Sequence, residues 1–340
     1  MSSLTGLQGV TVTPRYIFGV NAAIKNSLHI VEGNKLMYVA GHNVIIYDGG
    51  EDGTSFSNQY FIPGTEGVDR INAISVSNSK APLLAICETE DRKARVTLWN
   101  LTSRKSIKTI PEQFGDGGLT CSEFIGAAFC PKDPHKYIVT LAGDPDWCVS
   151  LWQHDLSKTV HVTKIDIGLT FAYEFSNTLQ LSYSNLSTDL TVVVTGYKCY
   201  RYLHIADGMA SFVQKHDKLT NSSGQAVLKS DNITCHTWDQ AIRLVCCTEA
   251  GEIVVCDYDG TAKYLLADSP FGSRIDCIAP AEKGLVVAGE ASMIQSYVCD
   301  NDKAYVLNQT AIGNNEKAVI GDQMPSETSY RAICMSEDCD

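Results

Sequence analysis

From Ile71 to Leu101 the chain reads INAISVSNSKAPLLAICETEDRKARVTLWNL, and its hydrophobic spacing predicts three strands and two turns. Ile71 to Val76 alternates apolar and polar positions, Leu83 to Cys87 is a continuous apolar run, and Arg95 to Leu101 carries an aromatic at Trp99. The same layout returns at Ile125 (IGAAFCPKDPHKYIVTLA), Leu179 (LQLSYSNLSTDLTVVVTG), Ile233 (ITCHTWDQAIRLVCCTE) and Ile275 (IDCIAPAEKGLVVAGE), and it opens again at Tyr330 (YRAICMSED). Successive starts lie 54, 54, 54, 42 and 55 residues apart. A period of that size, with three or four short strands per unit, marks a β-propeller, in which each sheet buries its faces against its neighbours. The predicted fold class is therefore all-β: a propeller with six recognisable blades and the start of a seventh.

The ends of the third strands repeat the period independently. They fall at Tyr47, Trp99, Trp152, Tyr202, Cys256 and Tyr297, spaced 52, 53, 50, 54 and 41 residues apart. A large aromatic at this point is expected to pack between adjacent blades, contributing about 2–3 kcal/mol. Tyr47, Trp99, Trp152, Tyr202 and Tyr297 are accordingly structural blade-packing candidates rather than ligand-stacking platforms. Residues 1–20 read as a lead-in whose TVTPRYIFG forms a possible closing strand, residues 21–310 as blades one to six, and residues 311–340 as a polar linker followed by the first strand of an incomplete seventh blade. The first strand of blade one is expected from Ile24 to Val31. Two strands of the seventh blade are missing before Asp340, so the expectation is either that the polypeptide continues or that six blades and a stub close imperfectly.

Composition narrows the class. A chain of 340 residues buries roughly three quarters of its unfolded surface in one large domain. The net charge of −12 and pI near 5.1 argue against nucleic acid or an anionic membrane as the main partner, since both select a basic footprint. The opening MSSLTGLQGVTVTPRYIFG has no charged region followed by an apolar core, and no apolar run approaches the about 18 residues that span a bilayer. A cytosolic location is the expectation, which makes the five N-x-S/T sequons moot. Thirteen cysteines with no C-x-x-C pair fit neither a disulfide framework nor a zinc site. Several stand where sister repeats hold small or apolar residues, so they read as reduced core thiols.

Candidate chemistry is sparse. Trp238-Asp239 spells the letters that name WD repeats but falls in the turn between first and second strands, a coincidence of letters. Asp144-Pro145-Asp146-Trp147 sets two carboxylates in a hairpin, an arrangement that turns use with or without a cation. The eight histidines show no i,i+4 pairing and no H-x-H, no glycine-rich phosphate loop follows a strand, and no G-x-S-x-G motif occurs. The reading is of no catalytic residue, no cofactor and no metal, and of a protein that is not an enzyme.

The run FGVNAAIKNSLHIVEGNKLMYVAGHNVIIYD from Phe18 to Asp48, then YFIPGTEG from Tyr60 to Gly67, INAISVS, LLAICE, and PDWCVSLWQHDLSK from Pro145 to Lys158 resembles the start of a WD-repeat cilia- and flagella-associated protein. The likeness is to the axonemal family in which tandem N-terminal propellers precede a coiled coil. It covers residues 15 to about 165 and thins to a generic WD-repeat pattern afterwards. FIPG and PDW carry most of it, because propeller geometry requires neither. The resemblance implies a non-catalytic scaffold in the cytoskeleton of the motile cilium or flagellum. Its partners would be other axonemal proteins: components of the inner dynein arm or neighbouring regulatory complexes, and doublet microtubules. The chain departs from that family in holding one propeller's worth of sequence and no heptad-bearing segment. Two other readings stay open: a general cytosolic WD-repeat adaptor, such as a ubiquitin-ligase receptor or coat subunit, and a propeller-based metal-assisted hydrolase. Against the hydrolase, the strands expected to line the channel begin with Ile71, Ile125, Leu179, Ile233 and Ile275, apolar where ligands would be needed.

Overall fold

The apolar runs in the middle of each repeat dictate the arrangement. LLAICETE, YIVTLA, LTVVVTG and LVCCT are rich in β-branched and aliphatic side chains with no polar alternation, so they form strands only where both faces are covered. In the computed structural model, which describes residues 16–17, 19–33, 35–48, 58–169, 178–184, 190–266, 272–290, 293–299, 304–312 and 333–334, these four runs are the second strands in four of six four-stranded antiparallel sheets.

Blade one comprises β1 (His29–Val31), β2 (Lys35–Ala40), β3 (Asn43–Asp48) and β4 (Asn58–Pro63). Blade two comprises β5 (Val68–Val76), β6 (Leu83–Glu90), β7 (Lys93–Asn100) and β8 (Lys105–Ile110). Blade three comprises β9 (Phe124–Phe129), β10 (Tyr137–Ala142), β11 (Cys148–Gln153) and β12 (Val160–Asp166). Blade four comprises β13 (Gln180–Tyr183), β14 (Leu190–Gly196), β15 (Cys199–Ala206) and β16 (Met209–His216). Blade five comprises β17 (Ile233–Trp238), β18 (Leu244–Thr248), β19 (Ile253–Cys256) and β20 (Ala262–Leu265). Blade six comprises β21 (Ile275–Ala281), β22 (Gly284–Gly289), β23 (Met293–Cys299) and β24 (Tyr305–Ile312). Each is a meander in which sequence order is spatial order, the arrangement expected of short hairpin connections.

Burial grades across every blade. The β6, β10, β14 and β18 strands are almost wholly buried, whereas β8, β12 and β16 on the outer edge are mostly exposed or half-buried. Five apolar clusters join the blades in series: one to two around Met37, Ile46 and Leu84; two to three around Leu98, Phe124 and Trp152; three to four around Leu151, Val192 and Leu203; four to five around Tyr200, Trp238 and Val254; five to six around Val255, Leu285 and Tyr297. Among the described residues no such cluster joins blade six to blade one.

The third-strand aromatics divide by face. Trp152 is 1% exposed in the cluster shared with blade two and donates its indole N–H to Thr140 Oγ1 at 2.9 Å. Trp99 is half-buried against the cluster shared with blade one. Tyr297 lies in the cluster shared with blade five and donates to Gln295 Oε1 at 2.8 Å. Each of these faces the preceding blade. Tyr202 faces the following one, meeting Trp238 edge-on at 6.1 Å and donating to the Tyr258 carbonyl at 2.9 Å. Tyr47 alternates with Val44 and Ile46, which face blade two, so it stands on the opposite face of blade one.

A second recurring device ties loops to sheets. The Glu88 carboxylate, on β6, accepts from the Thr65 amide at 2.8 Å and from the Thr65 and Thr97 hydroxyls at 2.9 and 2.6 Å. Asp146, in the turn after β10, accepts from the Thr120 and Cys121 amides at 2.5 and 2.7 Å. Glu252, before β19, accepts from the Lys229 and Ser230 amides at 3.0 and 3.2 Å. Each clasps the segment that enters its own blade, supplying partners for amides that no strand pairs.

One expectation meets a different outcome, and another falls outside the described residues. The first strand of blade one is shorter than the predicted Ile24–Val31: it begins at His29, because residues 21–27 form a turn in which the Ile24 amide donates to the Asn21 carbonyl at 3.3 Å. The seventh-blade strand and the lead-in strand TVTPRYIFG lie outside the described residues, except for Ile333, Cys334, Tyr16, Ile17 and Gly19.

These environments separate the two tryptophans. Trp152→Ala should destabilise by about 3–5 kcal/mol in chemical denaturation, whereas half-buried Trp99→Ala should cost less, about 1–3 kcal/mol; equal losses would show that burial at the end of β7 has been underestimated. Glu88→Ala, which strands a half-buried amide and two hydroxyls, should cost about 1–3 kcal/mol and speed hydrogen exchange at Thr65.

Candidate functional site

The first strands converge on the propeller axis, and the residues between their apolar positions determine what the channel offers. Ile71, Leu179, Ile233 and Ile275 are buried and Ile125 is half-buried, as spacing suggested. Polar side chains nevertheless enter between them: Gln180, Ser182 and His236 from the strands, and Lys25 from the turn before β1. A cavity of about 240 Å³ is bounded by Lys25, His29, Ile125, Gln180 and Tyr183, and a second of about 250 Å³ by Lys25, Arg70, Asn72 and Glu123.

Lys25 reaches across the axis. Its ammonium donates to the carbonyls of Thr178 and Thr234, each at 2.7 Å, joining the lead-in of blade one to blades four and five. Burial pushes its pKa down to about 8, because the loss of water from the charged form outweighs the attraction of Cys235 and Asp276. Beside it, His236 is 3% exposed. Its Nε2 shares a hydrogen bond with Ser182 Oγ at 2.5 Å and its Nδ1 with Thr195 Oγ1 at 2.7 Å. The backbone amide of His236 donates to Gln180 Oε1 at 3.0 Å, and Gln180 Nε2 returns a bond to the His236 carbonyl at 3.0 Å. Trp238 Nε1 completes the network on Ser182 Oγ at 2.9 Å. Burial, reinforced by Lys25, lowers the His236 pKa to about 3, so the ring is neutral at physiological pH. Ser182 and His236 lack the third, orienting carboxylate of a nucleophilic triad: both ring nitrogens end on hydroxyls. The network locks blade four to blade five across their inner strands.

Other candidate residues are likewise engaged in packing. Asp146, read as part of a possible cation turn, is occupied by backbone amides. Asp239 is 3% exposed and accepts from Arg243 Nε at 2.8 Å and from Tyr305 Oη at 2.7 Å. The dipeptide Trp238-Asp239 therefore contributes through its surroundings, pinning the outer strand of blade six to a turn of blade five. Among the described residues ten cysteines are buried, two are half-buried and all are free thiols. Burial raises the Cys121 and Cys199 thiols to about 12, which suppresses the reactive thiolate. No group of three or more histidine, cysteine, aspartate or glutamate side chains among the described residues is placed to hold a metal ion, and no described helix is long and apolar enough to cross a membrane.

Sequence reasoning missed Lys25, His236, Arg243 and the clasping carboxylates. Lys25 had a signal, a lone cation inside the apolar stretch AAIKNSLHI; Asp146 stood out only as part of a possible cation turn, and Glu88 and Glu252 had no signal, since they occupy different strand positions. What remains for recognition is the rim. Met209, Tyr258, Val306 and Ile107 are 70%, 67%, 67% and 53% exposed, and Arg104 stacks over the Tyr60 ring at 3.7 Å, where blades one and two adjoin.

His236 and His29, whose pKa burial lowers to about 4, give stability a pH dependence with a definite sign. The unfolded chain takes up protons near pH 6.5 while the folded rings resist until about 4 and 3, so stability falls as pH drops through that window. Acidification from pH 7 to 4 should lower the unfolding midpoint of the unaltered protein more steeply than that of His236→Gln; parallel curves would exclude His236 as a titrating contributor.

No protein-family model matches the chain. Two curated relatives do, both from Tetrahymena thermophila: cilia- and flagella-associated protein 57 C, 24% identical over 85% of this chain and 25% of that protein, and cilia- and flagella-associated protein 57 A, 25% identical over 56% of this chain and 16% of that protein. The chain thus spans a quarter or less of the length of these relatives. Among solved structures it is similar to a chain of a mitotic checkpoint complex, with TM-score 0.62 and 8% identity over 87% of this chain and 82% of that one. Chaetomium thermophilum Sqt1, bound to the N-terminus of the ribosomal protein L10, gives 0.58 and 13% over 85% and 75%. The Myceliophteria thermophila Cps50 (Swd1) β-propeller domain gives 0.50 and 11% over 73% and 76%. At these identities the structures establish the fold alone. The described residues form a six-bladed β-propeller, and the chain is similar in sequence to two cilia- and flagella-associated proteins.

Proposed function

We propose that this propeller is a non-catalytic scaffold of the axoneme in a motile cilium or flagellum, making protein-protein contacts near the inner dynein arms and their regulatory complexes. One observation carries the reading: sequence similarity to cilia- and flagella-associated protein 57 C extends over 85% of the chain, beyond the first blades in which the resemblance is densest. The interior supports it, because its polar side chains are consumed in joining blades rather than converging on a substrate. The partners are other axonemal proteins and the doublet microtubule wall, met through blade-connecting loops and the exposed apolar and basic positions of the rim. An acidic chain of net charge −12 uses such local patches rather than its mean field to select a partner.

Tagging the endogenous protein in a flagellated cell and extracting with detergent and high salt tests this directly. Retention along the demembranated axoneme is the expected result. A diffuse and fully extractable signal would instead assign the propeller to the cytosolic adaptors.

A further inference from the structure

Charge is spread unevenly over this acidic chain. Aspartate and glutamate number 39 against 27 lysines and arginines. Yet between Asp91 and Glu112 the sequence holds six cations, Arg92, Lys93, Arg95, Arg104, Lys105 and Lys108, and no acid. The fold turns that window into a single feature: it comprises β7, the turn that follows and β8, the outer strand of blade two. Arg92 and Lys93 stand where β7 begins, Arg104 and Lys105 beyond its far end, and Lys108 between them, opposite Leu98. The cations therefore form a stripe along the outer edge of the blade.

Packing holds several of these charges in place. Lys93 and Arg95 lie over the Phe114 ring at 4.7 and 5.3 Å, and Arg104 stacks on Tyr60 at 3.7 Å. The Lys108 ammonium donates to the His154 carbonyl at 3.1 Å and to the Leu156 carbonyl, which ties the turn before β12 to this edge. Neighbouring acids are already engaged: Glu90 pairs with Arg95 at 2.6 Å, and Glu112, near Lys108, accepts from the Thr159 amide at 2.6 Å. Among the described residues, Arg92, Lys93, Arg104, Lys105 and Lys108 have no carboxylate within ion-pair distance. Exposed apolar side chains accompany the charge: Ile107 at the bulge of β8, and Leu156 and Val160 in the adjoining part of blade three. A lysine on an outer strand deters pairing between molecules, and β12, β16 and β20 each carry one, Lys164, Lys215 and Lys263. Two lysines on β8 with four more cations around it go beyond that need.

We propose that the outer edge of blade two is a docking surface for an acidic, extended segment of a partner protein. At about 3.3 Å per residue, some six residues of such a segment match the length of β8, Lys105–Ile110. Its carboxylates pair with Lys93 at one end and Lys105 at the other, and an apolar side chain between them covers Ile107. The unpaired backbone of an outer strand suits an extended ligand. A nucleic acid duplex or an anionic membrane presents charge over a surface far wider than this stripe, and the rest of a chain of net charge −12 repels it. The proposal deepens the scaffold reading by giving it a surface, and rests on that reading only in taking the ligand to be a protein. Binding in solution and retention on the axoneme are separate measurements and fail separately.

Titrating a fluorescently labelled decaglutamate peptide with the full chain, followed by anisotropy, tests this. Saturable binding is expected, weakened about tenfold or more in Lys93→Glu/Lys105→Glu and about threefold in Lys93→Gln/Lys105→Gln. Lys215→Glu, which reverses a charge on the outer edge of blade four, should change it less than about twofold. The glutamine pair decides the matter where charge reversal lowers the thermal unfolding midpoint. Equal weakening by Lys215→Glu would reduce the stripe to general charge and overturn the proposal, and so would the absence of saturable binding. Tighter binding of a DNA duplex or of phosphatidylserine vesicles than of the peptide would overturn the assignment of a protein segment as occupant.

Discussion

A sheet whose central strands are apolar on both faces has nowhere to put them except against another sheet. That constraint governs this molecule. The β10 and β18 strands are buried at almost every position, and each such Val, Leu or Ile is worth about 1.5–3 kcal/mol when removed from water. A single blade cannot collect that energy alone. Packing in series lets each blade cover its neighbour on both sides, and the five clusters from blade one to blade six are the result. Polar devices are subordinate to this packing: the Glu88, Asp146 and Glu252 clasps and the Asp239–Arg243 pair satisfy groups that burial would otherwise strand.

How much of this was legible depends on whether a feature repeats. Strand positions did, because apolar periodicity is forced by burial, and the six blades follow from it. The third-strand aromatics repeated too, yet period alone does not fix a face. Trp152 and Tyr297 face the preceding blade while Tyr202 faces the next, since a shift of one residue in a strand reverses every side chain on it. Clasping carboxylates were illegible because a long side chain reaches the same loop from several backbone positions. The channel network was illegible for a related reason: Lys25 meets partners 153 and 209 residues away.

The same distinction limits function. Propeller geometry dictates cores and leaves the loops and outer strands free, so the parts that recognise a partner are those on which periodicity is silent. Sequence similarity to cilia- and flagella-associated proteins fills part of that silence, although Asp146 of the PDW segment also clasps the Thr120 and Cys121 amides. His236, Ser182 and Thr195 show the converse, chemistry-bearing residues recruited for cohesion in the place where many folds put a reaction.

A series of five interfaces also has a mechanical character. Load applied across the ring passes through the blades as through links of a chain, and each apolar face shears as a unit because its side chains interdigitate. Among the described residues, blades two to five are flanked by cores on both sides, whereas blades one and six each lean on a single core. Loosening one core among the described residues therefore leaves any of blades two to five held from its other side, whereas blades one and six each depend on that one core.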